Sequence, residues 1–138
     1  MRKAINLLII TCIVLVGCQS PQSTNTTTTT YESSDQLVAA AKEVIKEVSI
    51  EDFKTMYDGE DYFVIVDVRT SDEYDAGYIP GAVNIQRGIL EFKIGKEEAW
   101  DAFGLYIPEK TDPIIVSCRT GNRSALAALA LQELATKK

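Results

Sequence analysis

Residues 113–124, PIIVSCRTGNRS, decide the fold of this chain. The β-branched run that opens this segment predicts a buried strand at residues 113–117, and the alanine- and leucine-rich stretch behind it predicts a helix over residues 123–135. A strand that passes through a short loop into a helix is typical of parallel α/β sheets, which bind ligands beyond the carboxyl ends of their strands. The thiol of Cys118 is therefore predicted at such a position.

The remaining segments predict the same architecture. The run YFVIVDV at residues 62–68 indicates a second strand that is covered on both faces, as in a parallel sheet. Periodicity and capping residues predict helices over residues 35–48, 49–58 and 70–74, a brief strand at residues 82–85, and helical pieces at residues 88–94 and 96–103. We expect one α/β domain over residues 35–138, built on a parallel sheet flanked by helices.

The loop behind Cys118 has the residues that turn a thiol into a nucleophile. Gly121 and Asn122 tolerate the positive φ of a tight turn, and the free N–H groups of the following helix favour an anion. The cations of Arg119 and Arg123 add to this effect, so Cys118 can ionise although the chain has no histidine. The alternative is a structural cysteine buried at a strand end. The predicted binding loop consists of Arg119, Thr120, Gly121, Asn122 and Arg123.

A resemblance to a known family rests on this loop and on an upstream pattern. CRTGNRS at residues 118–124 resembles the active loop of single-domain rhodaneses, and DVR, EY, GYIPGA and NI between residues 67 and 85 are similar to their other signature, in matching order. The resemblance implies a sulfurtransferase in which Cys118 carries sulfur as a persulfide, from thiosulfate or a persulfide donor to a thiophilic acceptor such as a thiol. It also implies that loop N–H groups stabilise the persulfide and that Arg119 and Arg123 orient the donor.

Two departures from the family qualify this resemblance. Tyr78 stands where the family has a histidine, and the family continues after its helix with a further strand and a last helix, which we expect this domain to lack. Asp67, Arg69 and Glu73 are compatible with acid/base catalysis, but we expect them to form ion pairs and turn hydrogen bonds that hold the end of the sheet together.

Two other functions remain open. A related group on the same fold performs phosphatase or arsenate-reductase chemistry with His-Cys-x5-Arg, whereas here four residues separate Cys118 from Arg123 and position 117 is serine. A non-enzymatic docking module is the second alternative, although relatives of that kind usually lose the cysteine. The spacing and the retained cysteine favour the sulfurtransferase.

The first 34 residues predict a membrane anchor. Arg2 and Lys3, an apolar run over residues 4–16 and the junction Gly17-Cys18 resemble a bacterial lipoprotein signal over residues 1–17, which implies lipidation of Cys18. A plain secretory signal and an uncleaved anchor are the alternatives. Residues 18–34 are mostly small and polar, with five consecutive threonines, and predict a flexible linker. The domain is therefore expected outside the cytoplasm, lipid-anchored to the bacterial cell membrane.

The charge balance limits the partners. The chain has 14 basic and 20 acidic residues and a net charge of -6, which disfavours nucleic acid and anionic headgroups. No metal-ligand cluster, phosphate-binding glycine loop or nucleic-acid motif appears in the sequence, so we predict neither metal nor cofactor. The expected partners are a small sulfur-containing anion, a thiol acceptor and, through Cys18, the lipid bilayer.

Overall fold

The computed structural model describes residues 29–136. The predicted signal peptide, the lipidated Cys18 and most of the linker lie outside the described residues. Every helix and strand in the described part belongs to one compact unit, which begins at Tyr31. Among residues 29–136, no helix has the length and apolar character needed to cross a membrane.

A parallel sheet with helices around it forms the centre of the described domain, which confirms the predicted fold class. Its strands are β1 (Val64–Asp67), β2 (Ala82–Asn84) and β3 (Ile114–Ser117), in the spatial order β2-β1-β3. β1 pairs with both neighbours, so that Val66 lies opposite Val83 on one side and Val116 on the other. All three strands point the same way, and their carboxyl ends meet at one edge of the sheet.

The prediction that both apolar strands are buried is correct for β1 and wrong for β3. Three of the four residues of β1 are buried, whereas every residue of β3 is only half-buried. Within residues 29–136, β3 pairs with β1 alone, so its other edge has no strand beside it. A run of β-branched residues predicts a strand, but it does not indicate how many neighbouring strands pair with it.

Helices occupy the predicted places. They are α1 (Ser34–Lys42), α2 (Ile50–Asp58), α3 (Ser71–Asp75), α4 (Leu90–Lys93), α5 (Glu97–Asp101) and α6 (Asn122–Thr136), with a 3-10 turn at Arg87–Ile89. Ser33, Ser49 and Thr70 each accept a backbone N–H from the residue three positions on, and these bonds set the starts of α1, α2 and α3.

α1 is shorter than predicted. The periodicity predicts a helix to residue 48, but α1 ends at Lys42, where the N–H groups of Val44 and Ile45 both donate to the carbonyl of Ala41. The turn lets Ile45 pack against the cluster that Val38 and Ala41 form with Ala125 of α6. This tertiary contact therefore competes with continuation of the helix.

Apolar clusters cover both faces of the sheet. The larger one holds the indole of Trp100, which is fully buried and donates its N–H to the carbonyl of Ile94 at 2.9 Å. Burial of a side chain of this size stabilises the folded state by about 1.5 to 3 kcal/mol or more. The buried members of this larger cluster are all completely or almost completely buried: Val66, Val68, Val83, Ile85, Leu90, Trp100 and Ala127. On the opposite face Ile65, Tyr74 and Ala82 form a second cluster.

α6 is held from two sides. Ala127 belongs to the larger cluster against the sheet, while Ala125 packs with Val38 and Ala41 of α1. The start of α6 is therefore placed by the sheet and by α1 together, and so is the loop that leads into it.

Candidate functional site

The thiol of Cys118 lies at the carboxyl end of β3, as predicted. β3 ends at Ser117 and α6 begins at Asn122, so a very short loop brings the sulfur over the start of the helix. The Sγ atom accepts the N–H of Gly121 at 3.2 Å and the N–H of Ser124 at 3.4 Å. Ser124 is the third residue of α6, so the sulfur takes the place of a capping side chain.

The tightness of this loop depends on Gly121. Its φ is 87°, in the left-handed region of backbone conformation that residues other than glycine rarely adopt. Asn122 takes no positive φ and instead begins α6 with an exposed side chain. Of the two residues predicted to tolerate a positive φ in this turn, only Gly121 takes one.

The hydroxyl of Ser124 accepts a hydrogen bond from the Cys118 Sγ atom at 3.4 Å and donates to the carbonyl of Gly121 at 3.0 Å. Burial raises the pKa of Cys118, but the hydrogen bonds from Ser124 and from the N–H groups of Thr120 and Gly121 together outweigh it. The pKa of Cys118 therefore lies below its ordinary value, without any histidine. The sequence analysis did not single out Ser124, although its place three residues after Gly121 is typical of a helix start.

Arg123 is engaged elsewhere. Its guanidinium contacts both carboxylate oxygens of Glu73, at 2.6 and 2.8 Å. This pairing raises the pKa of Arg123, and it is the main reason that the pKa of Glu73 falls to about 2. Arg123 thus lies beside the loop as half of an ion pair, and its role in orienting a donor stays a prediction.

The upstream charged residues form the ion pairs that the sequence analysis expected. Arg69 donates to both carboxylate oxygens of the buried Asp67 at 2.6 to 3.0 Å, and also to the carbonyl of Gly77 at 2.7 Å. The amide of Asn84 donates to the carbonyls of Asp67 and Arg69. These contacts tie the carboxyl ends of β1 and β2 together.

Arg119 and Thr120 complete the predicted binding loop. Both side chains are exposed, and the guanidinium of Arg119 has no ion pair or hydrogen bond among residues 29–136. Of the two loop arginines, Arg119 is therefore the one whose charge is available to an incoming anion.

An open groove of about 410 Å³ runs beside the thiol. β3, Cys118 and Gly121 form one wall, and residues 45–50 form the facing wall. The groove is large enough for a small anion next to the sulfur.

Comparison with known proteins identifies relatives of this domain. A family model described as a rhodanese-like domain matches residues 49–138. A mitochondrial protein of Schizosaccharomyces pombe, named as a proposed thiosulfate sulfurtransferase, is 35% identical over 102 residues, which cover 68% of this chain and 72% of that protein. YrkF of Bacillus subtilis, named as a proposed sulfur carrier protein, is 32% identical over 94 residues, which cover 68% of this chain but only 45% of YrkF.

A solved structure shows the same fold. The human single-domain sulfurtransferase TSTD1 superposes with a TM-score of 0.57 at 27% sequence identity. The match covers 65% of this chain and 81% of TSTD1. The parallel sheet and its flanking helices are therefore shared with a protein of this class.

Proposed function

This chain belongs to the rhodanese-like family, and we propose that it is a sulfurtransferase in which Cys118 carries the transferred sulfur. One observation carries the proposal: two backbone N–H groups, of Gly121 and Ser124, converge on a single sulfur atom at 3.2 and 3.4 Å. Such a cradle fits a thiolate or a persulfide anion, because each donor faces one anionic atom. The names of the relatives support the same activity.

The proposed reaction has two displacement steps. The Cys118 thiolate attacks the outer sulfur of a donor such as thiosulfate, the S–S bond of the donor breaks, and sulfite leaves with the electron pair. The sulfur stays on the protein as a Cys118 persulfide anion. An acceptor, either a thiolate or cyanide, then attacks the terminal sulfur, and the bond to Sγ breaks to regenerate the Cys118 thiolate. The N–H groups of Gly121 and Ser124 stabilise the charge in both states.

The ion pair of Arg123 argues against phosphoryl transfer. Such chemistry needs cations on the oxygens of the transferred group, whereas the Arg123 guanidinium gives two hydrogen bonds to Glu73. A docking module is also a poorer account, since it has no use for a cysteine with a lowered pKa beside a groove. Sulfur transfer uses both features.

Thiocyanate formation from thiosulfate and cyanide tests the proposal with the purified full chain. We expect turnover by the wild type, and the Cys118→Ser variant should fall below about a tenth of it, because Cys118 is the only thiol among residues 29–136. A wild type that transfers no sulfur from thiosulfate or from persulfide donors would favour a docking module. Hydrolysis of an aryl phosphate that depends on Cys118 would favour the phosphatase.

We also propose that the domain is displayed outside the cytoplasm on a lipid-modified Cys18. The support comes from the sequence: a basic start, an apolar run of 13 residues at positions 4–16, the Gly17-Cys18 junction and the polar linker behind it. An apolar run of this length falls short of the roughly 20 residues that span a bilayer, so an acyl chain would supply the attachment.

A further inference from the structure

α1 lies outside the part of the chain that matches the family model. The match begins at residue 49, whereas α1 spans Ser34–Lys42. Val38 and Ala41 of this helix pack with Ala125, close to the start of α6. Because α6 begins directly after the Cys118 loop, the contact places the last residue of α1, Lys42, beside that loop.

The ammonium group of Lys42 lies above the turn of the loop. A β-carbon built on Gly121 would lie 3.9 Å from the Lys42 Nζ atom, and the N–H of Gly121 is one of the donors to the Cys118 sulfur. Lys42 Nζ also contacts Glu47 Oε1 at 2.8 Å. Gly121 and Glu47 both line the groove that contains Cys118, so the ammonium of Lys42 lies next to two of its lining residues.

Besides Arg119, whose charge is free, and Lys46, which lines the groove, the cations near the sulfur are held in ion pairs. Arg69 is paired with the buried Asp67, and Arg123 makes two bonds to Glu73. Lys42 is paired too, but its partner Glu47 keeps 57% of its side chain exposed, and exposed pairs of this kind are weak. An anion can therefore replace Glu47 at Lys42 far more easily than it can replace Glu73 at Arg123.

The proposed reaction benefits from a further cation beside that of Arg119. It brings a dianion toward a thiolate on a chain whose net charge is -6, and like charges at close range oppose that approach. We propose that Lys42 is a donor-binding residue, whose ammonium exchanges Glu47 for the oxygens of an anionic sulfur donor such as thiosulfate beside Cys118. This inference rests on the proposed sulfurtransferase activity, and it makes Glu47 a competitor of the donor.

Two variants of the same ion pair separate this role from a structural one. Lys42→Met should raise the KM for thiosulfate by about five- to tenfold with little change in kcat, because one charge-assisted contact to the donor is lost. Glu47→Gln should lower the KM, because the ammonium no longer has a competing carboxylate. If the Lys42–Glu47 pair had only a structural role, both variants would shift the KM in the same direction. That result would overturn the proposal.

Lys54→Met is the matched control. Lys54 pairs with Asp58 on the exposed side of α2, and neither residue lines the groove. This variant removes one lysine and breaks one exposed ion pair, so it matches Lys42→Met in both respects. Its KM should equal that of the wild type. A rise equal to that of Lys42→Met would contradict the proposal, since it would reflect net charge alone.

A binding measurement keeps the inference distinct from the activity. Inorganic sulfate should slow the alkylation of Cys118 by iodoacetamide, followed by mass spectrometry of the peptide that contains Cys118. Protection should need several-fold more sulfate in Lys42→Met and less in Glu47→Gln. If the wild type transferred no sulfur, the proposed function would fail while this measurement still decided the role of Lys42. Equal protection of the wild type and Lys42→Met, or no protection of either, would overturn the proposal that Lys42 binds the donor.

Discussion

At the scale of single residues, the Cys118 sulfur receives N–H groups as the serine and threonine caps do at other helices of this chain. Ser33 and Ser49 accept one N–H each at the starts of α1 and α2, whereas Cys118 Sγ accepts two at the start of α6. Because free N–H groups at a helix start favour negative charge, the capping geometry also favours the thiolate. The hydrogen bonds that cap the helix therefore also activate Cys118 as a nucleophile.

Ser124→Ala tests the contribution of the hydroxyl. We expect the pKa of Cys118 to rise, because the side-chain hydrogen bond of Ser124 is one of the contacts that lower it, while both N–H donors remain. The rate of alkylation of Cys118 by iodoacetamide, measured against pH, gives this pKa directly. Sulfur transfer at neutral pH should fall accordingly.

Ser117→Ala is the control for that variant. The Ser117 hydroxyl is buried next to Cys118 but has no hydrogen-bond partner among residues 29–136. Its removal should leave the pKa of Cys118 unchanged. If Ser117→Ala and Ser124→Ala raised the pKa equally, the shift would reflect general packing and not the bond to sulfur.

Local sequence predicts only part of this site. Cys118 and Gly121 are predictable because a strand, a tight turn and a helix follow one another within a few residues. The partner of Arg123 is not, because Glu73 lies 50 residues away and the fold alone brings the two together. A motif shows an arginine near the nucleophile, but the tertiary structure decides whether its charge is free.

At the scale of elements, Glu73 links the starts of two helices. Its carboxylate accepts the N–H of Thr70 at 3.2 Å in a capping box of α3, and it also binds Arg123 at the start of α6. The side chains of Glu73 and Arg123 are about one-third exposed, so the pair is partly screened by water. We regard this link as a brace that keeps the Cys118 loop in place.

Glu73→Gln tests the brace through its pH dependence. The pKa of Glu73 is lowered from 4.5 to about 2, mainly by the hydrogen bond from Arg123, so the unfolded chain binds the proton more readily. The stabilisation is then fully present above about pH 4.5 and is lost as the pH falls toward about 2. Thermal melting should show a lower midpoint for the variant at pH 6 and a shrinking difference below pH 4.5.

Asp72→Asn controls for the loss of one acidic residue in the first turn of α3. Among residues 29–136 the Asp72 carboxylate has no hydrogen-bond or ion-pair partner. The difference from wild type should therefore be smaller and should not follow the same acid window. Identical pH profiles for Glu73→Gln and Asp72→Asn would assign the effect to the helix dipole instead of the brace.

The elements themselves follow the sequence where local signals agree. Ser49 and Gly59 bound α2 as expected, because a cap and a turn residue coincide with the ends of the periodic segment. α1 ends at Lys42 and not at residue 48, because Ile45 packs with α6 in place of continuing the helix. Periodicity shows which residues are apolar, but it cannot show that a contact beyond the helix draws one of them away.

At the scale of the whole molecule, the strand order β2-β1-β3 places the Cys118 loop next to the central strand. The sequence predicts that the sheet is parallel, since helices alternate with strands, but it does not specify this order from local signals. The same limit explains why half-burial of β3 was not predicted. The position of Lys42 over the loop likewise depends on how α1 packs against α6.

The membrane anchor is tested on the full chain in a bacterial cell. Cys18→Ala should abolish incorporation of radiolabelled palmitate and leave an unprocessed precursor, because acylation and cleavage both require the thiol at that position. Cys12→Ala is the matched control, since Cys12 lies within the apolar run and should be dispensable for labelling. Equal labelling of wild type and Cys18→Ala would remove the lipoprotein proposal.

The mass of the intact chain after incubation with thiosulfate tests the central claim most directly. We predict a gain of one sulfur atom, reversed by dithiothreitol and absent from Cys118→Ser, because the persulfide forms on that thiol and a reducing thiol removes it. Cyanide should also remove the added sulfur and release thiocyanate. A wild-type chain that gains no sulfur from thiosulfate, or a Cys118→Ser chain that gains as much as the wild type, would contradict the account.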